Sequence, residues 1–234
     1  MNALVLARYD FRLLWRHGFA VAYLVVAVLY AAILSVLPRD WADAVLPALA
    51  WSDPAFFCFF FAGASVCLDL SQGTFRALFA SPLRPAIYMV IKAGNLGVLS
   101  FAMAVLVSAS SRGGDFRLWP LAAAALAGGA PTAVIGAALA LRLKTINRFM
   151  IGSTPIFLVL ALPAAQYAAG PYLPDWFAVL ARLMPTDGAL RLARAAYASV
   201  PAAELAMAAA SSIAWTALAS VFILGPAVAA SRGD

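Results

Sequence analysis

Few residues in this sequence have the chemistry to make or break a bond, and their spacing works against it. A serine hydrolase needs a base beside its nucleophile, and the one histidine, His17, closes a basic stretch after Arg8, Arg12 and Arg16, where it reads as a residue at the level of lipid headgroups. Cys58 and Cys67 share one apolar run. At about 1.5 Å of helical rise per residue their Cα atoms lie far beyond the roughly 7 Å a disulfide spans, so they read as small packing residues, and no zinc spacing accompanies them. Asp187-Gly188 with Arg191 matches a fragment of the acidic pattern that holds metal and phosphate in phosphatidyltransferases, but the downstream aspartates are missing. No G-x-x-x-x-G-K-[ST] loop cradles a nucleotide. The expectation is a chain with no catalytic residue, no metal and no cofactor of its own.

One segment has a pattern suited to docking instead. In the run from Asp69 to Pro85, Gly73 and Thr74 break one helix and can cap the next, and Pro82 and Pro85 stop that helix and open another. A helix of one or two turns is predicted between them. Phe75, Leu78 and Phe79 recur at helical spacing on one face beside Arg76. Such a face can enter a groove on a partner, or rest on lipid as an amphipathic loop.

The elements that position this segment are set by lipid. Hydrophobic residues make up 65% of the 234 and charged residues 11%, too little polar surface for a soluble globule of this size. Apolar stretches of about 20 residues cross a hydrocarbon core as helix. Six are predicted, over residues 18–37, 54–68, 85–108, 119–141, 149–168 and 205–229, the second short enough to borrow from its flanks. The fold class is therefore all-α and polytopic, a single membrane domain over 1–234, with an interfacial helix in 1–17 and a tail in 230–234. In that first helix Leu6, Phe11, Leu14 and Trp15 can face lipid while the arginines meet phosphates.

Lys and Arg in short loops mark the cytoplasmic side. Arg8, Arg12, Arg16, Arg76, Arg84, Lys92, Arg142, Lys144, Arg148 and Arg232 fall on one side when both termini are inside, and most acids fall on the other. The net charge of +6 is read as topology and attraction to anionic lipid, with no nucleic-acid partner. Trp41, Trp51, Tyr172 and Trp176 sit where an outer aromatic belt would place them.

Within the spans, Gly128, Gly129, Pro131, Thr132 and Gly136 permit close helix contact or a kink. Phe57 and Phe60 offer aromatic surface to a cargo or to lipid. Asn95, Thr132 and Gln166 add polar groups that tend to face protein or a cavity at membrane depth. These five are the candidate path residues. Lys92, two turns into the third span, is expected to snorkel to the inner face. The acids stand at span ends, with Asp53 the nearest exception, so an ion-driven carrier has little support. Residues 170–203 are predicted to form a re-entrant or interfacial helical segment on the outer side.

Gly73-Thr74, then Ser81-Pro82-Leu83 and on through Tyr88 to Lys92, resembles the hallmark of type-2 ATP-binding-cassette exporter permeases. Met184-Pro185-Thr186 with Ala189-Leu190-Arg191 resembles the family's stretch before its last span, and the N-terminal helix resembles its elbow helix. Asp53-Pro54, the phenylalanines from Phe56 to Phe61, Arg84-Pro85 and the run from Lys144 to Phe149 are most similar to fluoroquinolone-type drug exporters. Gln72 departs from the glutamate many relatives carry there, with Asp69 the nearest acidic substitute. The resemblance implies that Gly73, Thr74, Phe75, Arg76, Leu78, Phe79, Ser81 and Pro82 couple to a separate ATPase subunit that holds ATP and Mg. It implies pairing with a second permease copy or a paralogue, export of a small amphiphilic or drug-like compound, and residence in the bacterial inner membrane. A haem-exporter permease for cytochrome maturation shares the layout and is the alternative.

Overall fold

A computed structural model describes residues 3–74 and 85–232, and every regular element in them is helical. Helix α1 is Ala3–Arg16 and α2 is Phe19–Val36. Helix α3, Arg39–Ser52, runs through a π-helical segment, Asp53–Phe57, into α4, Cys58–Ser71. Helix α5 is Pro85–Arg112, and α6, Leu118–Ala123, passes through a second π segment, Ala124–Gly128, into α7, Gly129–Leu143. Then come α8, Ile146–Leu160, α9, Leu162–Ala169, α10, Asp175–Arg182, and α11, Asp187–Arg194. The chain closes with α12, Ala202–Leu218, a third π segment, Ala219–Leu224, and α13, Gly225–Arg232.

Five of these runs are long and apolar enough to cross a membrane: Phe19–Val36, Arg39–Ser71, Ala86–Arg112, Leu118–Leu143 and Ala202–Ala229. The pair Ile146–Leu160 and Leu162–Tyr172 makes a sixth if its 41° bend lies within one span. The all-α, multi-pass reading holds. Pro163 stands just past that bend, where its missing N–H cannot close the ladder to the preceding turn.

The second span borrows from its flanks as its shortness suggested, and reaches further back than expected, running unbroken from Arg39 to Ser71. Prolines punctuate soluble helices, but in hydrocarbon an unmatched backbone carbonyl costs several kcal/mol. At three places among the described residues the ladder rewinds locally to i→i−5 bonding beside a proline, whereas Pro47 and Pro155 stand inside regular α-helix. Pro54 lies inside the first π segment, Pro131 follows the second and Pro226 the third. The Cys58 N–H reaches Asp53 O and the Gly225 N–H reaches Ser220 O across these bulges. In consequence Asp53 stands at mid-span and buried, not at a span end.

Small residues set how closely the spans approach. Helix α4 makes its broadest contact with α7, where a Cβ on Gly136 would overlap the Phe59 carbonyl oxygen, and a Cβ on Gly128 would overlap Ala189 of α11. Close packing of backbone on backbone is what holds helices together where lipid removes the hydrophobic drive. Of the four apolar clusters among the described residues, two mark the ends of the bundle. One joins Val66, Tyr88, Met89, Ala137, Leu141, Phe149 and Val228 near the end of the bundle that carries both termini. The other joins Trp51, Ala124, Leu190, Ala193 and Ala208 toward the opposite end. Outward, α2 bares Val21, Leu24, Val25, Val28 and Leu29, and the last span bares Ile213, Val221 and Phe222, an apolar coat that only lipid or another apolar chain can cover.

Three further expectations change. Trp51 is not a belt residue: it is 1% exposed and its indole N–H donates to Thr186 O at 2.8 Å. Trp41, Tyr172 and Trp176 do stand exposed. In α1, Phe11 and Trp15 face outward, but Leu6 and Leu14 are buried against the bundle. Lys92 does not snorkel to a surface; it is 1% exposed, because its charge is answered inside the protein.

Candidate functional site

Helix α4 ends where expected, with Gly73 at φ 69°, a left-handed turn that a residue with a Cβ adopts only under strain. Gly73 and Thr74 are described; Phe75, Arg76, Leu78, Phe79, Ser81 and Pro82 lie outside the described residues. What the structure provides is the base on which that segment is mounted.

On α5, Tyr88, Lys92 and Asn95 follow one another at i, i+4 and i+7, so they share a face. Asp69, in the last turn of α4, and Asp10, on α1, converge on it. The Lys92 Nζ lies 3.0 Å from Asp10 Oδ1 and 3.3 Å from Asp69 Oδ2. The Tyr88 hydroxyl donates to Asp69 Oδ2. Asn95 Nδ2 donates to Asp10 Oδ2 at 2.9 Å and to Ala7 O at 3.0 Å. Asp69 is 3% exposed and Asp10 7%. Charges removed from water to this degree need partners with good geometry on several sides, and here one ammonium bridges two carboxylates whose remaining lone pairs take neutral donors. The arrangement is mechanical: α1, the end of the second span and the start of the third are pinned together at the two flanks of residues 75–84.

Sequence reasoning had singled out Asp69, Tyr88 and Lys92 separately and missed Asp10. The signal was present, since Leu6, Asp10 and Leu14 recur every four residues on one helical face, and both leucines are buried.

The five candidate path residues are not gathered in one cavity. Phe57 stacks on Tyr23 of α2 at 5.1 Å between ring centroids, and Phe60 meets Phe157 of α8 at 5.6 Å. These two extend one aromatic layer from the second span toward the first and the fifth. Thr132 is buried and donates to Pro54 O at 2.8 Å, tying the fourth span to the first π segment. Asn95 belongs to the charged cluster. Gln166 lines a cavity toward the opposite end, and its Oε1 is buried with no hydrogen-bond partner among the described residues. A separate apolar groove of about 520 Å³ runs between α5, the fourth span and the last span, lined by Met89, Val90, Leu126, Val134 and Leu224.

Toward that opposite end the stretch from Met184 to Arg191 is fixed from three directions. Trp51 holds the Thr186 carbonyl, the Thr186 hydroxyl donates to Leu160 O at 2.7 Å, and a Cβ on Gly188 would collide with Ala208 of the last span. Asp187 pairs with Arg191 at 2.6 Å. Burial pushes its carboxyl above the usual carboxylate range, and the arginine opposes that rise.

A family model described as fluoroquinolones export permease protein matches residues 2–229. Two fluoroquinolones export permease proteins, from two strains of Mycobacterium tuberculosis, are each 27% identical over 194 residues, which is 82% of this chain and 80% of theirs.

Proposed function

Because the chain belongs to the fluoroquinolones export permease protein family, we propose that it is the membrane-spanning subunit of an ATP-binding-cassette exporter. A separate ATPase subunit, holding ATP and Mg, docks on residues 75–82 and drives efflux of a small amphiphile. The family match separates this reading from the haem-exporter alternative. The observation that carries the coupling is the buried Asp10–Lys92–Asp69 network. A push on residues 75–84 enters a body in which the second and third spans and α1 share one set of ionic bonds, so it moves them together. Rigid movement of packed helices is how small shifts at one end become a change of access at the other.

A second copy, or a paralogue, completes the path against the exposed apolar faces. Both termini and Gly73 face the cytoplasm, as the Lys and Arg distribution requires, and the membrane is the bacterial inner membrane. Reporter fusions at Ser71 and at Arg112 check this orientation: the first reads cytoplasm and the second exterior, and the reverse pattern refutes it.

The function itself is tested in inverted membrane vesicles from cells expressing this chain, its partner ATPase, or both. Uptake of a fluoroquinolone is expected only with both chains and ATP. Uptake driven by this chain alone under a proton gradient, or none with both chains, contradicts the reading.

A further inference from the structure

We propose that the open cavity lined by α9, α10, α11 and the start of α12 is an exit-side binding site for the oxyanion of an amphiphile. The inference rests on the orientation and export role given above, which place this cavity on the outer side. Its volume of about 570 Å³ lies in the range of small-molecule sites.

Three arginines line it, Arg182, Arg191 and Arg194, against two carboxylates, Asp187 and Glu204. Asp187 is already taken by Arg191 at 2.6 Å. The Arg194 guanidinium lies over the Tyr167 ring, 5.6 Å from its centre, a contact that does not neutralise its charge. Among the described residues no carboxylate lies within ion-pair distance of Arg182 or Arg194. Two guanidinium forks on one rim are matched to a planar or tetrahedral oxyanion.

The neutral part of the lining points the same way. Gln166 is one of the lining residues, and its Oε1 is buried without a hydrogen-bond partner among the described residues; a buried acceptor without a partner is costly until one arrives. Pro163, Leu190 and Met207 supply apolar wall. Next to Asp187 the chain is held by the Thr186 hydroxyl on Leu160 O and by the Trp51 indole on Thr186 O, so this part of the lining loses little freedom on binding. An apolar body with one oxyanion fits; that oxyanion can be the carboxylate of an exported compound or the phosphate of an outer-leaflet lipid.

The test uses the full chain with its ATPase in nanodiscs of phosphatidylcholine, without ATP, and reads binding by tryptophan fluorescence. The probes are a fluoroquinolone, its methyl ester, and a short-chain phosphatidylglycerol. Arg182→Gln/Arg194→Gln is expected to weaken an oxyanion probe about tenfold or more, the loss of charge-assisted hydrogen bonds, and to leave the ester unchanged; Arg194→Lys should fall between. Selective weakening of the fluoroquinolone assigns the site to cargo, and selective weakening of phosphatidylglycerol assigns it to lipid. If neither probe is weakened, or if the ester is weakened equally, the proposal is overturned. Since ATP is absent, a failure here leaves the coupling account standing, and a failure of ATP-driven uptake leaves this binding result intact.

Discussion

Lys92→Met is expected to destabilise the chain by about 3–5 kcal/mol, the usual cost of removing one member of a buried ionic network. The lysine stands between two buried carboxylates, and methionine fills its volume without its charge. Asp10 would keep the Asn95 amide and Asp69 the Tyr88 hydroxyl, but both would remain uncompensated anions in a buried site. The asymmetry between breaking a pair and replacing it supplies the control. Asp10→Asn/Asp69→Asn/Lys92→Met removes all three charges together and should recover most of the loss. Asp10→Asn alone keeps the Lys92–Asp69 pair and should cost less than the lysine change. Thermal unfolding in detergent, with protease access to α1 as a local readout, measures the series. Equal stability of Lys92→Met and the unaltered chain would show that the cluster holds nothing together.

The number and kind of spans were legible because lipid leaves one solution for a long apolar stretch, a helix with its backbone bonds internal. The start of the second span was legible only in part: beginning at Pro54 it was short enough to borrow from its flanks, but nothing local showed that it would run back to Arg39. The structure keeps Pro54 inside a 33-residue run, within a π segment, since a local π ladder costs less than open carbonyls in hydrocarbon.

The misread side chains share a cause. Trp51 looks interfacial until its partner, the Thr186 carbonyl 135 residues further on, is in place. Lys92 looks like a snorkelling lysine until Asp10, 82 residues earlier in the chain, meets it. Local spacing reveals which face a residue occupies, but not which distant helix that face meets. Asp10 was the recoverable case. Its position between Leu6 and Leu14 marked the buried face of α1, and the three neighbouring arginines drew the reading to the opposite, solvated face. For residues 75–82 the sequence pattern remains the basis, and the structure contributes the latch on either side of them.

That latch has a purpose only if force arrives through residues 75–82. Phe75→Glu/Phe79→Glu places two charges where aromatic rings are proposed to fill a groove on the ATPase. Aromatic anchors at the centre of an interface each carry about 2 kcal/mol or more of binding, and a carboxylate in that groove adds a desolvation cost. The spans and the Asp10–Lys92–Asp69 cluster are untouched by the change, so membrane insertion and stability should stay as they were.

The decisive measurement is therefore fluoroquinolone moved per ATP hydrolysed, in proteoliposomes holding this chain and its ATPase, with and without Phe75→Glu/Phe79→Glu. The account predicts a fall in transport of roughly tenfold or more, with ATP hydrolysis by the ATPase persisting and the chain still inserted. Transport at the unaltered rate, at unchanged cost in ATP, would contradict it.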